Sequence, residues 1–238
     1  MKIKNRKEKR SLKYGNISVI ENSQYQQPQY IKEPKQHKAL NLVQQQYLNS
    51  IKGNVITFAI GPAGTGKTYI AASYAAELLK AGEIDNIIMT RPNIEAGRGF
   101  GYLPGELENK YAPYMEPILD VLQERLGKSH TQYLLKRGII QFKPLEFMRG
   151  KTFNRCLYIL DEAQNTTSTQ MQLFLSRIGE DCKVVIDGDL AQKDINGISG
   201  LHDAVIRLVG INKIGIVEFT IDDVVRSGMC KEILLRYQ

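Results

Sequence analysis

Cysteine and histidine are scarce, with three of each among 238 residues. Cys156, Cys182 and Cys230 are far apart in the sequence and odd in number, and none has a histidine beside it. His37, His130 and His202 show no ligand spacing either. Neither a zinc site nor a disulfide framework is expected, and a reducing compartment fits. Two of the cysteines sit at the edges of apolar, strand-like runs, where a free thiol behaves as a small buried hydrophobe. No apolar run approaches the roughly 20 residues that cross a bilayer. The opening "MKIKNRKEKRSLKYGN" lacks the apolar stretch of a secretory signal. These absences lead to the expectation of a cytoplasmic protein without a membrane partner. Internal repeats are absent too.

What is present is a globular composition with an uneven charge. The net +7 is concentrated in Met1–Lys13, where seven basic residues face one acid, leaving the remaining residues a net +1. Residues 1–30, ending in a stretch rich in Gln, Asn and Pro, read as a flexible basic arm. Such an arm is either simply solvated or attracts phosphate backbones without sequence preference. From Gln36 to Ile51, Leu40, Val43, Tyr47, Leu48 and Ile51 recur at helical spacing, and Gly53 stops the pattern.

Beyond Gly53 strands and helices alternate. "NVITFAI", "NIIMT", "GIIQFKP", "RCLYILDEA", "CKVVIDGD" and "IGIVEFT" read as strands. The helix from Lys67, "PYMEPILDVLQERLG", "STQMQLFLSRIG", "SGLHDAVIRLVG" and "GMCKEILLRY" read as helices, and "RPNIEAGRGFGYLPGELENK" as an irregular segment. This order predicts one α/β domain whose mainly parallel sheet carries helices on both faces.

The chemistry begins at "GPAGTGKT", Gly61–Thr68, which fits the phosphate-loop pattern between a predicted strand and a predicted helix. Its glycines let backbone amides approach phosphate oxygens, and the helix start adds a positive field. The expected nucleotide contacts are Gly61, Pro62, Ala63, Gly64, Thr65, Gly66, Lys67, Thr68 and Tyr69. Lys67 would reach the β- and γ-phosphates, and Thr68 would offer a hydroxyl to Mg²⁺. Another apolar run ends in Asp161 and Glu162. Asp161 suits Mg²⁺, and Glu162 beside it can orient and deprotonate a water. "VVIDGDLAQ" brings Asp187, Gly188, Asp189 and Gln192. Gln192 is either a γ-phosphate sensor or a surface glutamine after a glycine turn.

Together "IGPAGTGKT", "TRPNIEAGRGFGYLPGELENKYAPYMEPI", "FMRGKTFN", "ILDEAQNTT", "QMQLFLSRIG" and "DVVR" resemble the PhoH family, RecA-like P-loop ATPases related to superfamily 1 helicases. The resemblance runs from about Gln44 to the C-terminus. It implies a RecA-like three-layer sandwich over residues 31–238, with an adenine-reading helix at 36–53 and the sheet core at 54–238. It also implies ATP binding and Mg²⁺-dependent hydrolysis; some relatives are associated with rings and RNA-directed activity. By position Gln44 resembles the glutamine that reads adenine's edge, although Gln45 and Gln46 adjoin it and a plain solvated glutamine is the alternative. Asp187 stands where the family usually has a small or hydroxyl residue, an extra carboxylate that needs Mg²⁺ or an arginine nearby. None of the RNA-binding or nuclease-like domains of longer relatives is recognisable.

A single RecA-like domain leaves the arginine for the γ-phosphate to come from a neighbouring subunit, which implies a homo-oligomer, for example a hexameric ring. Arg226 and Arg177 are the candidates, and ordinary salt-bridge residues the alternative. Arg91 and Arg149 resemble loop positions facing the nucleotide or a bound strand. Phe100 and Tyr102 either stack on bases or fill the loop's own core. The leading expectation is an ATPase acting on RNA or another nucleic acid. A nucleotide-bound scaffold with little turnover comes next, then a small-molecule kinase, against which stand the absence of a recognisable arginine-rich lid and the presence of Glu162, which favours attack by water. "INKIG" lacks the aspartate that reads guanine.

Overall fold

Short runs of β-branched and other apolar residues bounded by polar turns form six strands, the four central ones buried along most of their length and the two outer ones half-buried. They are β1 Ile56–Ile60, β2 Asn86–Arg91, β3 Ile140–Pro144, β4 Cys156–Leu160, β5 Lys183–Gly188 and β6 Ile214–Glu218. A computed structural model describes residues 38–92, 107–148, 152, 154–226 and 228–236. The expected arm at 1–30, together with Phe100, Tyr102 and Arg149, lies outside the described residues. The strands form one sheet in the order β3-β2-β4-β5-β1-β6, and every pairing is parallel.

Because side chains alternate along a strand, each strand feeds two cores. Ala59, Ile87, Met89, Leu157, Ile159 and Val185 pack with Tyr47, Ile51, Ile70 and Leu122, which belong to α1 (Leu42–Gly53), α2 (Lys67–Ala81) and α3 (Leu107–Leu126). Phe58, Ile88, Tyr158, Leu160, Val184 and Ile186 pack on the other side with Met171, Phe174 and Leu201, from α5 (Ser168–Leu175) and α6 (Gly200–Leu208). The result is the expected helix–sheet–helix sandwich. Two further helices, α4 (Lys128–Lys136) and α7 (Gly228–Arg236), complete the set among the described residues.

Three sequence expectations shift. The first helix starts at Leu42 rather than Gln36, because the Asn41 side chain accepts from the Gln44 amide and caps it. Leu40, counted in the apolar stripe, is 74% exposed. The helix α3 starts at Leu107, inside the segment expected to be irregular. The helix α4 was not expected; it buries only Thr131 and Leu134, so it shows no apolar stripe. Cys156 and Cys182, distant in sequence, meet across β4 and the start of β5 with their Sγ atoms 3.0 Å apart, both buried. Among the described residues no helix is long and apolar enough to cross a membrane.

The helix α1 is held against the sheet at its C-terminal end. Lys183 Nζ donates to the carbonyls of Ile51 at 2.8 Å, Lys52 at 2.9 Å and Asn54 at 3.1 Å, matching a cation to the negative end of a helix. Gly215 on β6 lies so close that a Cβ there would collide with Ser50 Oγ and Asn54 Nδ2. Replacing Gly215 by Ala should therefore push α1 outward and lower stability by roughly 1–3 kcal/mol, the usual cost of overpacking. A fall in the urea midpoint with an unchanged slope is the expected readout.

Candidate active site

At the carboxyl end of β1 the chain turns through Gly61–Thr68 into α2. Gly61 has φ +142, and a Cβ would collide with the Phe219 carbonyl, so only glycine fits. The loop is tied into the sheet end: Gly61 N donates to Gly188 O at 3.0 Å, Phe219 N to Ile60 O at 2.7 Å and Val225 N to Gly64 O at 3.0 Å. Thr65 Oγ1 donates to Pro62 O at 3.1 Å. Lys67 Nζ donates to the carbonyls of Gly61 at 2.7 Å and Pro62 at 2.8 Å, and to Thr65 Oγ1 at 3.4 Å. Burial lowers the Lys67 pKa, opposed by the carboxylates of Asp187, Asp189, Asp161 and Glu162.

The acids come from the two strands that follow β1 across the sheet, β5 and then β4. Thr68 Oγ1 lies 3.3 Å from Asp161 Oδ1 and 3.1 Å from Asp187 Oδ2, so one hydroxyl proton serves two carboxylates. Asp187 is 1% exposed, and its Oδ1 has no partner. Burial first, and the neighbouring Asp161 second, hold its pKa well above the usual carboxylate range.

Glu162 adopts φ +54, a left-handed conformation uncommon for a residue with a side chain. Strain of this kind gathers at functional sites. Both of its oxygens are engaged: Arg91 Nη2 donates to Oε1 at 2.8 Å and Gln164 Nε2 to Oε2 at 2.5 Å. Arg91 also lies 4.0 Å from Asp161. The Gln164 side chain is buried and accepts from the Asp189 amide at 3.0 Å, while its Nε2 lies 3.4 Å from the Gln192 carbonyl. Asp189 in turn accepts from Ala191 N at 3.0 Å and caps the 3-10 turn Leu190–Gln192.

One cavity of about 220 Å³ brings together Ala63, Gly64, Gly66, Lys67, Thr68, Tyr69, Asp161, Glu162, Asp187, Gly188, Asp189 and Gln192. Most of the expected site residues are therefore neighbours. Gln44 is not on the cavity wall. It lies beneath the loop, 2% exposed, donating to Thr65 O at 2.9 Å and accepting from Leu40 N at 2.8 Å. Reading adenine by simultaneous donation and acceptance requires the Leu40 contact to open first. Tyr69 turns toward α3: its hydroxyl accepts from Arg125 Nη2 at 2.7 Å, under a guanidinium 5.5 Å from the ring. Arg226 packs over Gly64 of its own phosphate loop. Arg177 lies away from the cavity, close enough to Tyr158 on the opposite face for its charge to act on that hydroxyl. Gln164 was missed as a site residue, although it stands within "LDEAQN"; its role depends on contacts with β5 that no local pattern encodes.

The donor set suits a triphosphate with a hard cation. Backbone amides and Lys67 match phosphate oxygens, while the Thr68 hydroxyl and the Asp161 carboxylate match Mg²⁺. A family model described as "PhoH-like protein" matches residues 36–238. The chain belongs to the PhoH-like family. It is 47% identical over 196 residues to the PhoH-like protein of Bacillus subtilis (strain 168), covering 82% of this chain and 61% of that relative. It is 45% identical over 203 residues to Protein PhoH of Escherichia coli (strain K12), covering 84% of this chain and 57% of that relative. The chain thus spans about three fifths of the length of these curated relatives. Among solved structures, the large terminase of a thermophilic bacteriophage superposes with TM-score 0.49 at 12% identity, covering 82% of this chain and 49% of the terminase.

The Gln44 contacts generate a test that separates bracing from base reading. Gln44→Ala should weaken ATP and GTP binding by similar factors, roughly three- to tenfold for one lost hydrogen bond. Fluorescent-nucleotide titrations would show unequal losses if the amide read adenine.

Proposed function

We propose that this PhoH-like chain binds ATP with Mg²⁺ and hydrolyses the γ-phosphate. The observation that carries the reading is the Asp161–Glu162 pair at the end of β4, on the wall of the cavity that also holds Lys67 and Thr68. Lys67 would exchange its two loop carbonyls for β- and γ-phosphate oxygens, and the loop amides would cradle the same groups. Thr68 and Asp161 would hold Mg²⁺, which when bound would supply neutralisation of the triphosphate's charge. Glu162 would then accept the proton of a water aligned on the γ-phosphorus. Each of its oxygens already accepts one hydrogen bond, from Arg91 or from Gln164, which lowers its basicity, so release of either donor would make it a stronger base. Release by Gln164 would be felt at Asp189 and Gln192, which gives the third acidic segment a means of sensing the reaction.

A nucleotide-bound scaffold is the second reading, and the doubly held Glu162 favours it as the resting state. A chain that binds ATP but keeps Glu162 paired would turn over slowly until a partner drew Arg91 away. RNA or single-stranded nucleic acid is the proposed partner, through the basic N-terminal arm and the family resemblance. A homo-oligomeric ring, hexameric or otherwise, is proposed with it, Arg177 being the arginine placed away from its own cavity.

Phosphate release from the purified chain with Mg²⁺ tests the reading. Glu162→Gln should lower turnover by about 10²–10⁴-fold while ATP stays bound, and Lys67→Ala should weaken ATP binding itself. Turnover in Glu162→Gln equal to that of the unaltered chain would remove Glu162 from the chemistry.

A further inference from the structure

We propose that Asp187 joins Asp161 and Thr68 in an oxygen-lined site that takes a divalent cation before any nucleotide arrives. The proposal rests on the ATPase reading for the location of the cation, and it adds a ligand and an order of binding. Register places the two carboxylates together. Leu160 pairs with Ile186 across β4 and β5, so Asp161, just past β4, and Asp187, still within β5, stand side by side. Asp187 follows Val185 by two positions and so shares its face, the one packed beneath α2. Thr68, in the first turn of α2, stands over both acids with its hydroxyl between them.

Three facts make this a site rather than a cluster of acids. Asp187 is almost wholly removed from solvent, yet its Oδ1 has no partner. The same residue forms part of the cavity wall, where there is room for the waters a small divalent cation keeps. Lys67, the cation on that wall, directs its ammonium hydrogen bonds at Gly61, Pro62 and Thr65 rather than at either acid. When both are ionised, two carboxylates sharing one hydroxyl hydrogen repel each other strongly in a dry setting. A divalent cation bound to the open oxygen of Asp187, to Asp161 and to Thr68 removes that repulsion without moving the backbone. Phosphate-binding loops ordinarily acquire Mg²⁺ largely through the phosphates, with one or two carboxylates assisting. A second, buried carboxylate shifts the balance toward the protein, so the cation would wait for the nucleotide.

The test is titration of the full chain with Mn²⁺ in nucleotide-free buffer, following free Mn²⁺ by electron paramagnetic resonance, with Mg²⁺ as competitor. One site is expected, weakened at least tenfold in both Asp187→Asn and Asp161→Asn. Glu162→Gln should change the affinity by less than about twofold, because that carboxylate is committed to Arg91 and Gln164. Asp187→Ser, which removes the carboxylate with less bulk, serves as a second variant should the amide fold poorly, and it should lose Mn²⁺ equally. A nucleotide-free chain that binds no Mn²⁺ below millimolar concentration overturns the proposal, as does an Asp187→Asn or Asp187→Ser chain that binds as the unaltered one does. In the first case Asp187 holds a proton instead. Binding of a fluorescent ATP analogue with saturating Mg²⁺ is measured alongside: its absence would sink the ATPase reading, and its presence with failed nucleotide-free Mn²⁺ binding would sink this inference alone.

Discussion

Charge concentration at one edge of the sheet is the constraint to which the rest of the site answers. The carboxylates of Asp161, Glu162, Asp187 and Asp189 all act on Lys67, a single ammonium that is itself buried. Unpaired buried charge is among the costliest features a fold can hold. Each acid therefore has a local device. Asp189 caps a 3-10 turn, Asp161 shares the Thr68 hydroxyl, and Glu162 is clamped by Arg91 and Gln164. Of these four acids, Asp187 keeps a buried oxygen without a partner. The arrangement is poised for a ligand that brings both signs of charge, which describes a triphosphate with its metal.

Strand order is what makes the concentration possible. Since β5 lies between β1 and β4, its acidic end is inserted between the phosphate loop and the Asp161–Glu162 pair. A parallel sheet delivers all three carboxyl ends to one edge. Gln164 then bridges β4 to β5, and the fit is tight enough that a side chain at Gly188 would collide with both Gln164 and Leu201 of α6. Gly200, at the start of α6, donates to the Thr166 carbonyl at 2.6 Å. Glu162 is thus connected through Gln164 and the Gly188 and Gly200 contacts to a helix on the far face of the sheet.

The sequence disclosed those parts of the molecule whose cause is local. Strand runs, the phosphate loop and the acidic strand ends depend on periodicity and on residue types at fixed spacing, and the structure has them where they were expected. Contacts between distant segments were not legible. The meeting of Cys156 with Cys182 follows from register, and Arg91 reaches Glu162 only because β2 and β4 are neighbours. The helix α4 escaped because its short, polar surface buries too little to impose a stripe. Gln44 shows the intermediate case. Its position beside the loop was legible from the family pattern, but its bonds to Thr65 and Leu40 were not.

The two candidate arginines separate on the same grounds. Arg226 lies over Gly64, and its neighbour Val225 donates to the Gly64 carbonyl, so this segment is laced to the phosphate loop of its own chain. An arginine offered to another subunit has to be exposed and remote from its own phosphate loop; Arg226 is exposed but lies against its own loop. Arg177 is remote from its own cavity, sitting beside Tyr158 behind the sheet, but its Nε is buried and unpartnered, so it meets only the requirement of remoteness. Neither candidate meets both requirements in this chain, so the ring remains a proposal, while the grouping of the phosphate loop with the acidic strand ends is complete within one chain.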